Sequence, residues 1–193
     1  EYHEGLIALS ACLAGEVATN IRRGFYEEAK KAAVKFQHIF GEGNFYLELQ
    51  DHGIPLQATV NQSLLRIHQE TGIPLVATND VHYIYDTDAV SHDILLCIQT
   101  QKKVADEDRM RYEGGQYYLK SPEEMLALFP YAKEALENTQ KIANRCNVDI
   151  EFGKYKLPRF DVPEGYTAYE YLKKVCNDGL EKRYPNPSKE LRE

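Results

Sequence analysis

Short apolar stretches alternate with longer amphipathic ones through the first hundred residues. Three short stretches are predicted to be buried strands: Leu6–Ser10, Phe45–Leu49 and Pro74–Thr78. Three longer stretches carry apolar residues at spacings of three and four and are predicted to be helices: Gly24–Phe40, Gln57–Gln69 and about Asp86–Gln99. Because continuously apolar strands alternate with helices three times, the pattern indicates a parallel α/β sheet or barrel.

The pattern changes after Gln101, where a polar and charged stretch begins. A short strand is predicted over Gln116–Lys120. A helix should follow Ser121, because Pro122 suits the first helical position and two glutamates fill the first turn. Two further helices are expected at about Tyr131–Cys146 and Thr167–Arg183. The extended, proline-bearing stretch between them, from Phe152 to Gly165, is typical of a linker.

Composition limits the classes of protein to consider. The 193 residues are 43% apolar, which is enough for one domain with a sizeable core and too much for intrinsic disorder. No apolar run approaches the roughly 18 residues of a membrane span, so no membrane association is expected. A net charge of −7 argues against a free-standing nucleic-acid clamp but is compatible with a metal-dependent phosphoesterase. Four scattered cysteines indicate reduced thiols and a cytoplasmic location.

Side chains able to bind metal follow each of the three predicted strands. Cys12 comes after the first, Asp51 and His52 after the second, and Asn79-Asp80-Val81-His82 after the third. The carboxyl ends of parallel strands line the active face of α/β proteins, so these groups should converge. Asp80 and His82 are two residues apart and would point to the same side of an extended backbone. A carboxylate and an imidazole, with a thiolate, suit Zn²⁺, Mn²⁺ or Fe²⁺.

Plainer interpretations stand beside this one. Cys12 could be a small buried apolar residue, and Asp51-His52-Gly53 could be a polar turn closed by glycine. A nucleophilic Cys12 with His82 as its base lacks a recognisable third orienting group. The remaining histidines are expected to face solvent: His3, His38, His68 and His92.

Several long strings resemble the PHP (polymerase and histidinol phosphatase) domain of bacterial DNA polymerase III alpha subunits. The most specific ones start at Gly5 (GLIALSACLAGE), Tyr46 (YLELQDHG), Pro74 (PLVATNDVHY), Asp93 (DILLCIQT) and Gln116 (QYYLKSPEEM). Further likeness lies in Arg109-Met-Arg111, in Asn138–Cys146 and in Leu157–Phe160, so the resemblance covers nearly the whole chain.

The resemblance implies an α/β fold, an incomplete PHP-type distorted (β/α)7 barrel followed by a helical segment. Residues 1–155 would form the C-terminal part of the PHP domain, and residues 156–193 a linker and the first helix of the polymerase core. Three family ligands carry over to this chain, Cys12, Asp80 and His82, with supporting places for Asp51, His52 and Asn79. The family's His-x-His pair is absent, and the earlier ligand motifs are expected upstream of Glu1.

For function, the resemblance implies part of a DNA-directed DNA polymerase that uses Mg²⁺. Its PHP domain would be a 3′–5′ exonuclease using Zn²⁺, Mn²⁺ or Fe²⁺. Alternatively, the domain would brace the polymerase and its proofreading subunit; a stand-alone PHP phosphatase is a third possibility. Expected partners are DNA, the proofreading subunit and the sliding clamp. With three ligands, this piece alone should lack appreciable nuclease activity.

Overall fold

The computed structural model describes residues 2–184 and 186–192. Within these residues there are three strands: β1 (Ala8–Leu9), β2 (Phe45–Leu49) and β3 (Leu75–Ala77). Eight α-helices accompany them in the described residues: α1 (Glu16–Arg22), α2 (Tyr26–Phe40), α3 (Pro55–Thr71), α4 (Ala89–Thr100), α5 (Pro122–Leu128), α6 (Lys133–Arg145), α7 (Ala168–Arg183) and α8 (Lys189–Arg192). Two 3₁₀ turns lie at Asp86–Asp88 and Glu113–Gly115.

The strands form a parallel sheet in the order β1-β2-β3. In the register, Ala8 faces Phe45, and Leu47 faces Leu75. The central strand is buried on both faces, as expected of a parallel strand covered by helices on either side. Its neighbours are shorter, and β2 contributes four buried apolar residues: Phe45, Tyr46, Leu47 and Leu49.

Helices α1, α2 and α3 contribute small and aliphatic side chains to one core around β2. The buried face of α2 is made of alanines, Ala29, Ala32 and Ala33, which lets this helix approach the sheet closely. From α3 come Val60, Leu64 and Ile67. On the far edge, the buried amide of Asn138 on α6 donates to the carbonyl of Leu75, 2.7 Å away, and so ties α6 to β3.

Two of the predicted elements agree closely with the structure, one helix was not predicted, and one predicted strand is wrong. The strand Phe45–Leu49 is confirmed to the residue, and the helix start at Ser121 is confirmed with its capping box. Helix α1 is missing from the prediction. The predicted strand over Gln116–Lys120 is wrong, because this stretch makes one isolated parallel bridge, between Tyr83 and Tyr118. Its amide and carbonyl groups are partnered by the loop after β3 instead.

The chain divides into two compact units, residues 1–147 and residues 148–193. The sheet and its core belong to the first unit. In the second, the stretch 154–163 has no regular secondary structure, and Thr167 precedes α7 as the N-cap residue of a capping box. No helix in the described residues is long and apolar enough to cross a membrane.

Candidate functional site

The carboxyl ends of the three strands are joined by polar side chains. The Ser10 hydroxyl accepts a hydrogen bond from the Glu48 amide, 2.8 Å away. Glu48 Oε1 in turn accepts from the Thr78 hydroxyl at 2.5 Å and from the Gln50 amide at 3.2 Å. These bonds join the residue after β1 to β2, and β2 to the residue after β3. They hold the strand ends, and therefore the loops that carry the candidate ligands, at one edge of the sheet.

Cys12 lies in a tight loop between β1 and α1. The preceding residue, Ala11, is left-handed with φ of 63°, and the Gly15 amide donates to the Cys12 carbonyl at 2.9 Å. A Cβ at Gly15 would stand 2.3 Å from the carbonyl oxygen of Ser10, so this turn requires glycine. The loop leaves Cys12 exposed with a free thiol.

Asp80 and His82 are close together, but not for the predicted reason. Strand β3 ends at Ala77, and Asp80 is left-handed with φ of 44°, so the extended backbone expected here is wrong. The turn brings His82 Nδ1 to 2.6 Å from the Asp80 carbonyl oxygen and to 4.0 Å from its carboxylate. Since a carbonyl oxygen can only accept, Nδ1 must carry the proton. In a neutral imidazole, the lone pair then lies on Nε2, where a metal would bind.

Aromatic rings surround the His82 imidazole. Its ring centre is 4.3 Å from that of Tyr112, 5.4 Å from that of His92 and 5.7 Å from that of Tyr117. His92 is half-buried and also lies 5.3 Å from Tyr83, so the expectation that it faces solvent is wrong. Helix α4 places it against the loop after β3, a neighbourhood that helical spacing cannot reveal. These rings restrict the orientation of His82.

His52 is buried, and both of its ring nitrogens have partners. The Gln57 side-chain amide donates to Nδ1 at 2.8 Å, and Nε2 lies 3.0 Å from the Asn79 carbonyl. The ring stacks on Tyr117 with 4.0 Å between centres. Burial lowers the pKa of His52, only partly opposed by its bond to Asn79. Because neither nitrogen is free, His52 supports the site without acting as a ligand in this conformation.

Asn79 and Asp51 also use their side chains within the protein. Asn79 Nδ2 donates to the carbonyls of Gln116 and Tyr118, at 2.9 and 2.7 Å, which fixes the amide orientation. Its Oδ1 is buried without a partner among the described residues. Asp51 Oδ1 accepts from the Gly53 amide at 2.9 Å, closing the polar turn that the sequence suggested as a plainer interpretation.

Tyr117 lies against the His52 ring and against the loop after β3. Burial raises the pKa of its phenol, and the nearby Asp80 carboxylate acts in the same direction. In the part of the chain that the structure describes, no three or more His, Cys, Asp and Glu side chains group closely enough to hold a metal ion.

Sequence reasoning did not single out Gln57, Tyr112 and Tyr117. Gln57 lies in the first turn of α3, where a polar residue has no distinguishing pattern, while the tyrosines belong to irregular or weakly strand-like stretches. Their positions depend on contacts between residues 5 to 65 positions apart, from the bond between Gln57 and the His52 amide to the stacking of Tyr117 on His52. A local periodic signal does not carry that information.

The sequence matches one protein family and several relatives that share a name. The PHP domain family matches residues 1–52. DNA polymerase III subunit alpha of Treponema pallidum is 40% identical over 193 residues, and that of Borreliella burgdorferi 42% over 195, each covering the whole chain. That of Thermus aquaticus is 40% identical over 192 residues, or 96% of the chain. The chain spans 16–17% of the length of these relatives. Over the segment that it spans, the chain is therefore similar from end to end to DNA polymerase III alpha subunits.

Proposed function

We propose that this chain works as part of a DNA polymerase III alpha subunit, the DNA-directed DNA polymerase of bacterial replication. The observation that carries the proposal is a sequence identity of 40–42% to relatives of that name over the whole chain. DNA, the proofreading subunit and the sliding clamp would be its partners in a cytoplasmic replisome, with Mg²⁺ at the polymerase site.

Within that subunit, residues 1–155 would be the C-terminal part of a PHP domain with a distorted, incomplete (β/α)7 barrel. Residues 156–193 would be the linker and the first helix of the polymerase core. The parallel β1-β2-β3 sheet supports the barrel, because parallel strands linked by helices are its repeating unit. The match of residues 1–52 to the PHP family supports the domain assignment.

Cys12, Asp80 and His82 would contribute part of a metal site. Their chemistry suits a borderline cation: a free exposed thiol, an exposed carboxylate and an imidazole whose Nε2 is left with the lone pair. Their number falls short of a complete site, so the proposal needs ligands from elsewhere in the subunit. Bound Zn²⁺, Mn²⁺ or Fe²⁺ would supply water activation and charge stabilisation for phosphodiester hydrolysis. Asp51, His52 and Asn79 would hold the ligand loops.

A chimera tests the polymerase assignment. The corresponding segment of the Thermus aquaticus subunit would be replaced by this chain, and primer extension would be measured on the purified protein. We expect extension close to that of the parent, since a homologous segment should preserve the neighbouring folds. A folded chimera without extension would contradict the assignment. Val148→Ala in the same chimera, at an exposed position, is the control for handling effects.

Asp80→Asn in the chimera tests the metal proposal. Losing one anionic ligand should lower metal content and any 3′–5′ exonuclease activity by at least about tenfold, while extension stays intact. Unchanged metal content would contradict the ligand role of Asp80. If extension were lost together with metal, the domain would instead brace the polymerase, which is the alternative that the resemblance also implied.

A further inference from the structure

We propose that Gln57 is a positioning residue: through His52 and Tyr117, it sets the place of the loop that carries Asp80 and His82. Gln57 is buried in α3 and contacts Nδ1 of the His52 ring, whereas that loop contacts Nε2. It is neither a candidate ligand nor a residue that the resemblance selects. The inference rests on the proposed function only in treating Asp80 and His82 as ligands.

The Gln57 side chain forms two hydrogen bonds with His52. Its Oε1 accepts from the His52 backbone amide at 2.8 Å, and its Nε2 is 2.8 Å from His52 Nδ1. With Oε1 fixed as the acceptor, Nε2 is the donor, so Nδ1 of His52 must be the unprotonated nitrogen. The proton of the neutral ring is then on Nε2.

The Nε2 proton of His52 forms a hydrogen bond with the loop that carries Asp80 and His82, the ligand loop. His52 Nε2 is 3.0 Å from the carbonyl of Asn79, the residue immediately before Asp80. The opposite tautomer would place two lone pairs face to face at this distance, which is repulsive. Gln57 therefore determines whether the Asp51-His52-Gly53 turn attracts or repels the start of the ligand loop.

Tyr117 extends the same support to the end of the loop. Its ring stacks on His52, and its carbonyl accepts from the His82 amide at 2.8 Å. The loop is thus held at Asn79 by the His52 ring and at His82 by the backbone of the residue stacked on that ring. Asp80 lies between the two anchors in a left-handed conformation, so the position of its carboxylate depends on where the two ends of the loop are held.

Amide hydrogen exchange on the 193-residue chain tests the proposal in Gln57→Leu. The ratio of exchange rates of His82 to Leu47, whose amide bonds to the Pro74 carbonyl in the core, reports on the loop independently of global stability. We expect this ratio to rise about tenfold as one net hydrogen bond is lost from the support. Asn61→Leu is the matched control, because Asn61 is a buried amide one turn along α3 that bonds to the Gln50 carbonyl instead.

An unchanged ratio in Gln57→Leu, or an equal rise in Asn61→Leu, would overturn the proposal. His52→Phe keeps a ring on Tyr117 without either nitrogen and should raise the ratio as Gln57→Leu does. The wild-type chain gives a test that needs no variant: ¹⁵N chemical shifts must show His52 protonated on Nε2. A ring protonated on Nδ1 would refute the role of Gln57 outright.

Zn²⁺ affinity of the chimeric subunit separates this inference from the proposed function. Gln57→Leu should weaken Zn²⁺ binding about tenfold, as the loss of residues that orient ligands commonly does, and Asn61→Leu should not. If the wild-type site bound no Zn²⁺, Mn²⁺ or Fe²⁺, the metal proposal would fail. The exchange and ¹⁵N results would still decide whether Gln57 positions the loop.

Discussion

The two units of the chain are stabilised in different ways. In residues 1–147, β2 and the helices around it bury a continuous apolar core, with Leu47, Leu49, Ile67 and Phe129 fully enclosed. In residues 148–192, excluding 185, helix α7 has no buried residue, although it has a complete capping box and ion pairs along its surface. The first unit therefore depends on burial and the second on local hydrogen bonds and charges, which contribute far less free energy.

Truncating one leucine in each unit should show the largest contrast. Leu47→Ala removes a side chain with no exposed surface from the central strand and should lower the free energy of unfolding by about 2–5 kcal/mol. Leu172→Ala on α7, where the leucine is 60% exposed, should change it by less than about 0.5 kcal/mol. Urea titrations followed by circular dichroism measure both; equal losses would mean that α7 is packed as tightly as β2.

Two asparagines, one buried and one exposed, extend the comparison of the two units to polar side chains. Asn138→Ala leaves the buried Leu75 carbonyl without its donor and should cost about 1–3 kcal/mol. Asn177→Ala removes an exposed bond to the Lys173 carbonyl on α7 and should be close to neutral, because water replaces it. The same urea titration applies. A cost at Asn177 similar to that at Asn138 would contradict the difference in burial.

The capping boxes of α5 and α7 have the same chemistry in the two units. Ser121→Ala and Thr167→Ala each remove the side-chain acceptor of a first-turn amide, at a cost of about 1 kcal/mol to the helix. For Ser121 this loss should appear in the unfolding of the whole first unit. For Thr167 it should appear as reduced helicity of α7, leaving the urea midpoint of the core unchanged. A shift of that midpoint by Thr167→Ala would show that the units unfold together.

Lowering the pH should have the smallest effect on stability, and each unit should respond through a different glutamate. Hydrogen bonds from Lys30 and Arg66 lower the pKa of Glu70 from 4.5 to about 2, which stabilises the α2–α3 contact above its ordinary pKa. That contribution is lost as the pH falls from about 4.5 through 2, and Glu70→Gln should flatten this part of the stability profile. Glu170, whose pKa the Thr167 amide lowers, should affect only the helicity of α7. Thermal melts across this pH range check both.

The sequence predicted best the elements whose side chains repeat regularly. Four of the five residues in Phe45–Leu49 are apolar, with Glu48 the exception, so a strand buried on both faces is readily predicted from the sequence. Helix α1 was missed because it is seven residues long and begins after Gly15 without a side-chain cap. Gln116–Lys120 has strand-like residues but no adjacent strand to pair with beyond the single bridge at Tyr118.

For the candidate site, the identity of the side chains was predictable and their arrangement was not. The proximity of Asp80 and His82 was expected from an extended backbone, whereas a left-handed turn produces it. The partners of His52 come from α3, from the loop after β3 and from the stretch around Tyr117. Such contacts are set by tertiary packing, and neither periodicity nor spacing encodes them.

The left-handed backbone at Asp80 limits which amino acids can replace it. At a φ of 44°, asparagine, aspartate and glycine are tolerated, whereas alanine or a β-branched residue adds conformational strain. An alanine scan at this position would therefore mix a backbone defect with the loss of a carboxylate. Asparagine changes the formal charge and keeps the shape and the turn. Among natural substitutions, it is the one by which ligand chemistry can be separated from loop folding.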